Sequence, residues 1–166
     1  MLGGPEIALW VLLIVATATD LLWGKIYNWL TFPFLLTGLI YRFAMQGTDG
    51  GVVALQSVAV AFALFFPLFA IRAVAAGDAK LLMAMGAWLD PKTTIEIAAV
   101  AILFGAAVGL VTLLRQKGLK GSAQSVAENV RQGAPTQRAL KMAFGPAFFC
   151  AYLVVNLAQV RHWELL

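Results

Sequence analysis

Asp20 and Asp78 are the residues whose type and setting point most directly to chemistry. Asp20 lies at the end of an apolar run from Ile7 to Trp23, and Asp78 opens another that reaches Leu89. A carboxylate at the edge of hydrocarbon is costly and is usually kept because it works. Two carboxyls on separate helices that meet at one membrane face make an acid–base pair. One activates a water, the other protonates the carbonyl or leaving amine of a peptide bond, and no covalent intermediate is needed. Like charges held close together resist double ionisation, so such a pair shares a proton. The same two residues also suit a non-enzymatic module that handles protons or ions.

Each aspartate has a plainer alternative. Asp78 follows Gly77, where capping the next helix is an ordinary task for Asp. Asp20 has Lys25 nearby as an interfacial ion-pair partner. The surroundings favour pairing of the two carboxyls. Ala16, Thr17, Ala18 and Thr19 form a small-sided stretch that lets another helix approach closely. Gly77 permits a tight turn ahead of Asp78. On a helix, Lys80 points well away from Asp78. Its expected role is snorkelling to the inner interface, with capture of a substrate carboxylate as the alternative.

The elements that position these residues follow from composition. The chain has 166 residues, of which 61% are hydrophobic and 12% charged. A soluble domain of that length cannot bury so much apolar surface, so an all-α polytopic membrane protein in one compact domain, 1–166, is expected. Six apolar segments are read at about 6–23, 29–45, 52–74, 78–89, 93–114 and 139–160, hence about six transmembrane helices. The third carries Pro67, where a kink is expected. The fourth is short, covering about 18 Å of a core about 30 Å thick. The sixth contains Gly145 and Pro146, read as a structural turn. The first segment lacks a basic region ahead of it, which favours a spanning helix over a cleaved leader. Cys150 is the single cysteine, so neither a disulfide framework nor a cysteine zinc site is expected within one chain. No metal, other cofactor or nucleic-acid partner is expected. The expected partners are lipid and a protein substrate.

Charge sets the orientation. With the N-terminus outside, the inner segments hold Lys25, Arg72, Lys80, Arg115, Lys117, Lys120, Arg131, Arg138 and Lys141, against Arg42, Lys92 and Arg161 outside. That choice places Asp20 and Asp78 at the same, cytoplasmic, end. Trp23 and Trp29 would flank the inner interface, and Trp10, Trp88 and Trp163 the outer one. The 46–51 turn would lie outside. The polar 115–138 loop would lie inside, as a short amphipathic helix on anionic lipid or as a solvated basic loop.

These residues also carry a family resemblance. Asp20-Leu21-Leu22-Trp23-Gly24-Lys25-Ile26-Tyr27-Asn28-Trp29-Leu30-Thr31 resembles the first active-site segment of type IV prepilin peptidases, and Ala75-Ala76-Gly77-Asp78-Ala79-Lys80-Leu81-Leu82 resembles their G-x-G-D segment. Ala143-Phe144-Gly145-Pro146-Ala147 is similar to the Pro-Phe-Gly-Pro stretch of their last helix. Ala75 stands in place of the first Gly of G-x-G-D, and Tyr27 and Ala143 each stand in place of a Pro. The resemblance implies a single transmembrane peptidase domain of the G-x-G-D aspartic class in a prokaryotic cytoplasmic (inner) membrane. It implies Asp20 and Asp78 as the catalytic pair, with prepilins or pseudopilins as substrates. Lys25, Asn28 and Lys80 lie on the inner loops expected to contact the substrate. The chain shows no N-terminal extension with the cysteine-rich zinc site of the longer members. It therefore resembles the short form of tight-adherence (Flp-type) pilus systems, for which N-methyltransferase activity is not expected. A catalytically weak pilus assembly factor that keeps the fold is the alternative within this resemblance. Val74-Ala75-Ala76 reads as a continuing helix, with the break supplied by Gly77.

Overall fold

Helix ends in this protein fall where the local chemistry demands them. A computed structural model describes residues 3–71, 73–108, 111 and 144–164, with side chains in the last helix described as far as 158. The described residues form helices and short connections with no strand, in line with the all-α expectation. The helices are α1 (Gly4–Trp23), α2 (Asn28–Ala70), α3 (Ala76–Gly86), α4 (Pro91–Val108) and α5 (Gly145–Glu164). The 115–138 loop lies outside the described residues.

α1 opens with Pro in its first turn, and the Glu6 carboxylate accepts the Gly3 backbone N–H at 3.1 Å. It closes at Gly24, whose left-handed backbone (φ 62°) directs its N–H onto the Asp20 carbonyl at 2.8 Å. α4 opens with Pro91 after Asp90, whose carboxylate accepts the Thr93 hydroxyl at 2.9 Å. The described part of α5 starts at Gly145, and residues 139–143 of the expected sixth segment lie outside the described residues. Pro146, which has no N–H to give, is tolerated in a first turn and poorly deeper in.

α2 merges the second and third apolar segments. The expected turn over 46–51 narrows to one non-helical residue, Gly47 (φ 64°, ψ −154°), a conformation that glycine adopts readily. The chain doubles back there. A methyl group on Gly51 would sit 2.9 Å from the Phe43 ring, and one on Gly50 would sit 2.7 Å from the Arg42 carbonyl oxygen. In a straight helix, residues eight apart stand about 12 Å apart. α2 is therefore a helical hairpin with limbs 28–46 and 48–70, each of about the span of a bilayer core, ~30 Å. The helix runs through Pro67 and ends at Ala70, short of the expected residue 74. Val74-Ala75-Ala76 does not continue it. Ala75 is extended (φ −78°, ψ 154°) and precedes α3.

α3 packs against both limbs of α2. At its far end the Trp88 indole N–H donates to the Phe34 carbonyl at 2.9 Å, Arg42 donates to the Trp88 carbonyl at 2.9 Å, and the Ser57 hydroxyl donates to the Leu89 carbonyl at 2.9 Å. The last two bonds satisfy carbonyls freed where α3 stops. Gly38 and Gly86 allow the approach. A methyl on Gly38 would lie 2.7 Å from the Trp88 ring nitrogen, and one on Gly86 would lie 3.1 Å from the Ser57 carbonyl oxygen. Trp88, stacked on Tyr41 at 5.4 Å, is thus a packing residue. Trp10 also packs inward, edge-on to Phe149 and Tyr152 of α5. Leu9, Leu12, Phe65, Leu81, Met85 and Phe148 fill the core between the helices. Large apolar side chains such as Leu22, Ile40, Met45 and Leu103 face outward. Three helices, α1, α2 and α4, are long and apolar enough to cross a membrane, and α5 carries a shorter apolar stretch.

Candidate active site

The last turn of α1, the start of α3 and the start of α5 meet at one end of the bundle. Asp20 is 7% exposed and Asp78 is 4% exposed, although neither has a cationic partner among the described residues. Burying a carboxylate without compensation is expensive, so the backbone has to supply donors. It supplies one to each.

The Gly145 N–H donates to Oδ2 of Asp20 at 2.7 Å, across 125 residues of sequence. This N–H is one of the orphan donors of a helix N-terminus, and a carboxylate is its natural acceptor. The contact leaves no room for a side chain. A methyl on Gly145 would lie 3.1 Å from Asp20 Cβ, from Asp20 Oδ2 and from Thr17 Cα. Gly145 is therefore more than the turn read from the sequence, because it anchors the first carboxylate. Asp20 forms no ion pair with Lys25 among the described residues. The buried Thr17 hydroxyl, one turn before Asp20, also has no hydrogen-bond partner among them.

Asp78 is the third residue of α3, and its Oδ2 accepts the Ala75 N–H at 3.2 Å. It thus reaches back to the helix start, the Glu side of a capping box, and is not itself the N-cap. Asp78 lies within electrostatic reach of Asp20. The tight turn expected at Gly77 is absent. Gly77 sits inside the first turn of α3, and the positive-φ glycines among the described residues are Gly24 and Gly47. What Gly77 provides is proximity. A methyl there would lie 3.1 Å from Ile26 Cβ, on the connection between α1 and α2. That contact holds the segment following Asp20 against the segment carrying Asp78.

Of the other site residues named from sequence, Asn28 and Lys80 come together. The Lys80 ammonium donates to Asn28 Oδ1 at 2.9 Å and lies 5.7 Å over the Phe32 ring. Lys25 is exposed on the α1–α2 connection, beside the aromatic contact of Trp23 with Tyr27. Among the described residues no group of three His, Cys, Asp or Glu side chains is assembled.

Ala75, where the family pattern has Gly, has an ordinary negative φ. A glycine there would relieve no strain and would only loosen the unfolded chain. Ala75→Gly is expected to lower the melting midpoint slightly, by ~0.4–1 kcal/mol of stability. Thermal melts in detergent check this, and a clear gain would show a strained turn.

The two buried carboxyls come from separate helices, each is fixed through one oxygen by a backbone N–H, and they lie within electrostatic reach of each other. Among the described residues, apolar helices of membrane-crossing length with two buried carboxyls toward one end define the class. The chain belongs to the type IV leader peptidase family, whose model matches residues 7–110, a stretch that includes both aspartates. It is also similar to the prepilin leader peptidase/N-methyltransferases of two strains of Burkholderia pseudomallei, 1026b and K96243. Each is 34% identical over 112 residues, covering 62% of this chain and 35% of the relative. The chain thus spans about a third of the length of these curated relatives. No solved structure matches it significantly.

Proposed function

We propose that this chain is a membrane-embedded aspartic endopeptidase that removes the leader peptide of type IV, Flp-type, prepilins or pseudopilins at the cytoplasmic face of a prokaryotic inner membrane. The observation that supports the proposal is the burial of Asp20 and Asp78, carboxyls of separate helices within electrostatic reach of each other, inside the stretch that matches the leader peptidase family. One carboxylate takes a proton from a water as its oxygen attacks the scissile carbonyl. The other carboxyl gives a proton to the carbonyl oxygen. The carboxyl that took the water's proton then gives it to the departing amine. A hydroxyl of the gem-diol intermediate returns its proton to the other carboxylate as the C–N bond breaks, and the pair regains its single proton. The backbone donors at Gly145 and Ala75 hold the two carboxyls in place without a competing cation. Asn28, Lys80 and Lys25, near the two aspartates in sequence, are the proposed contacts for the substrate's polar segment. Co-expression with candidate prepilins tests the proposal. A gel shift and the mass of the mature pilin should report leader loss that depends on this chain, and unprocessed prepilin in every pairing would count against it.

The orientation belongs to the same proposal. With the two limbs of α2 as separate crossings and α3 as a short one, six segments place the N-terminus outside and the acid pair inside, as the positive-inside rule favours. Single cysteines at Ser122 and Thr48, in a Cys150→Ser background, are expected to differ toward an impermeant maleimide on intact cells. Thr48 should label and Ser122 should not. The opposite pattern would invert the topology.

A further inference from the structure

We infer that Gly105, in the last described turn of α4, is a positioning residue for Asp20, acting through the Phe144 ring and the Gly145 N–H. The inference rests on the proposed role of Asp20. It begins from a contact far from either carboxyl in sequence. One edge of the Phe144 ring lies against Gly105, and a methyl carbon built on Gly105 would clash with Cε1 and Cζ of that ring. Gly105 is buried, and Phe144 packs against the core. Phe144 immediately precedes Gly145, whose N–H holds the Asp20 carboxylate.

The start of α5 is therefore gripped from two sides. One turn on, Phe148 is fully buried against Phe65 of α2, with ring centroids 5.6 Å apart. Phe144 is seated on α4 through Gly105. With Phe148 fixed, a side chain at position 105 pushes the Phe144 ring, and the push passes to the adjoining Gly145 backbone. The Gly145 donor stands 2.7 Å from its acceptor with no free space around it, so a small displacement lengthens that bond. A glycine at 105 is what leaves room for the ring edge and lets the donor point at Asp20.

Two measurements test this, one of them independent of activity. Protein labelled with 15N-glycine has few enough amides, from 15 glycines, for the Gly145 signal to be assigned by its loss in Gly145→Ala. Gly105→Ala is expected to move the Gly145 amide proton in the same direction as Asp20→Asn. Adding Phe144→Leu to the Gly105→Ala chain should bring it back toward wild type. In a prepilin cleavage assay, Gly105→Ala should lower kcat by about 10- to 100-fold with KM little changed, and Phe144→Leu should restore most of that loss. If Gly105→Ala does not fold, Phe144→Leu alone, which removes the ring without adding bulk, should still shift the Gly145 amide part of the way toward its Asp20→Asn position. A Gly145 amide unmoved by either substitution, while Asp20→Asn moves it, would overturn the inference. A wild-type protein that cleaves no prepilin would instead defeat the peptidase reading, and the amide spectrum would still decide the role of Gly105.

Discussion

Asp20→Asn and Asp78→Asn are each expected to abolish leader removal while the protein stays folded in the membrane. Asparagine keeps the shape of the carboxyl but can neither take a proton from water nor return one to the leaving amine. The Gly145 and Ala75 donors can still be satisfied by the amide oxygen, so the fold should tolerate both changes. Because the two carboxyls act as a unit, the double variant should be no worse than either single one. Leader loss from a co-expressed prepilin, read by mass, checks this against the amount of each variant in the membrane. Near-wild-type cleavage by one variant would return that residue to a plain structural role. For Asp78 this would be closing the first turn of α3 through Ala75. For Asp20 it would be capping the start of α5.

Gly145→Ala should have the second largest effect. The added methyl meets Asp20 Cβ, Asp20 Oδ2 and Thr17 Cα, each at 3.1 Å. Thr17 Cα belongs to the backbone of α1 and cannot swing aside, so either α1 and α5 separate or the Asp20 carboxylate leaves the Gly145 N–H. Overpacking of this kind costs about 1–3 kcal/mol. A hydrogen bond to a charged group contributes a further ~1.5–3 kcal/mol where it is lost. The expected result is a drop in cleavage of about tenfold or more, with a lower melting midpoint. Gly145→Ala with wild-type cleavage would show that the N–H contact does not matter to the reaction.

The two buried aspartates were legible in the sequence because cost marks them. A carboxylate at the end of an apolar run stands out, and the runs themselves gave the helical class. The breaks were harder to place. Gly47, Gly50 and Gly51 lie close together, and nothing local tells which one adopts the positive φ. The sequence therefore yields a broad turn where the chain uses a single residue. Pro146 was read as part of a turn, and it lies in the first turn of the described α5, where proline is tolerated. Gly24 was equally readable as a helix stop, being the glycine just past the last apolar residue of α1. The reading of Gly77 as a turn failed for a different reason. Glycine serves both unusual φ and close approach, and only the position of Ile26 shows that the second applies. Trp88 looked like an interfacial anchor because tryptophan in an apolar chain usually is one, yet its indole is used to tie α3 to α2. The contacts that finish the site were hidden altogether. Gly145 reaches Asp20 from 125 residues away, and Gly105 is one small residue in an apolar run. Neither has a local signature, because what demands glycine at each place is a neighbour brought there by the fold.

The most direct measurement uses purified protein in liposomes with one prepilin and mass spectrometry of the products. Wild-type protein should convert the prepilin into a free leader and a mature pilin whose masses sum to the prepilin plus one water, with both products absent for Asp20→Asn and for Asp78→Asn. Intact prepilin with folded wild-type protein, or the same two products from either variant, would contradict the assignment of an aspartic leader peptidase.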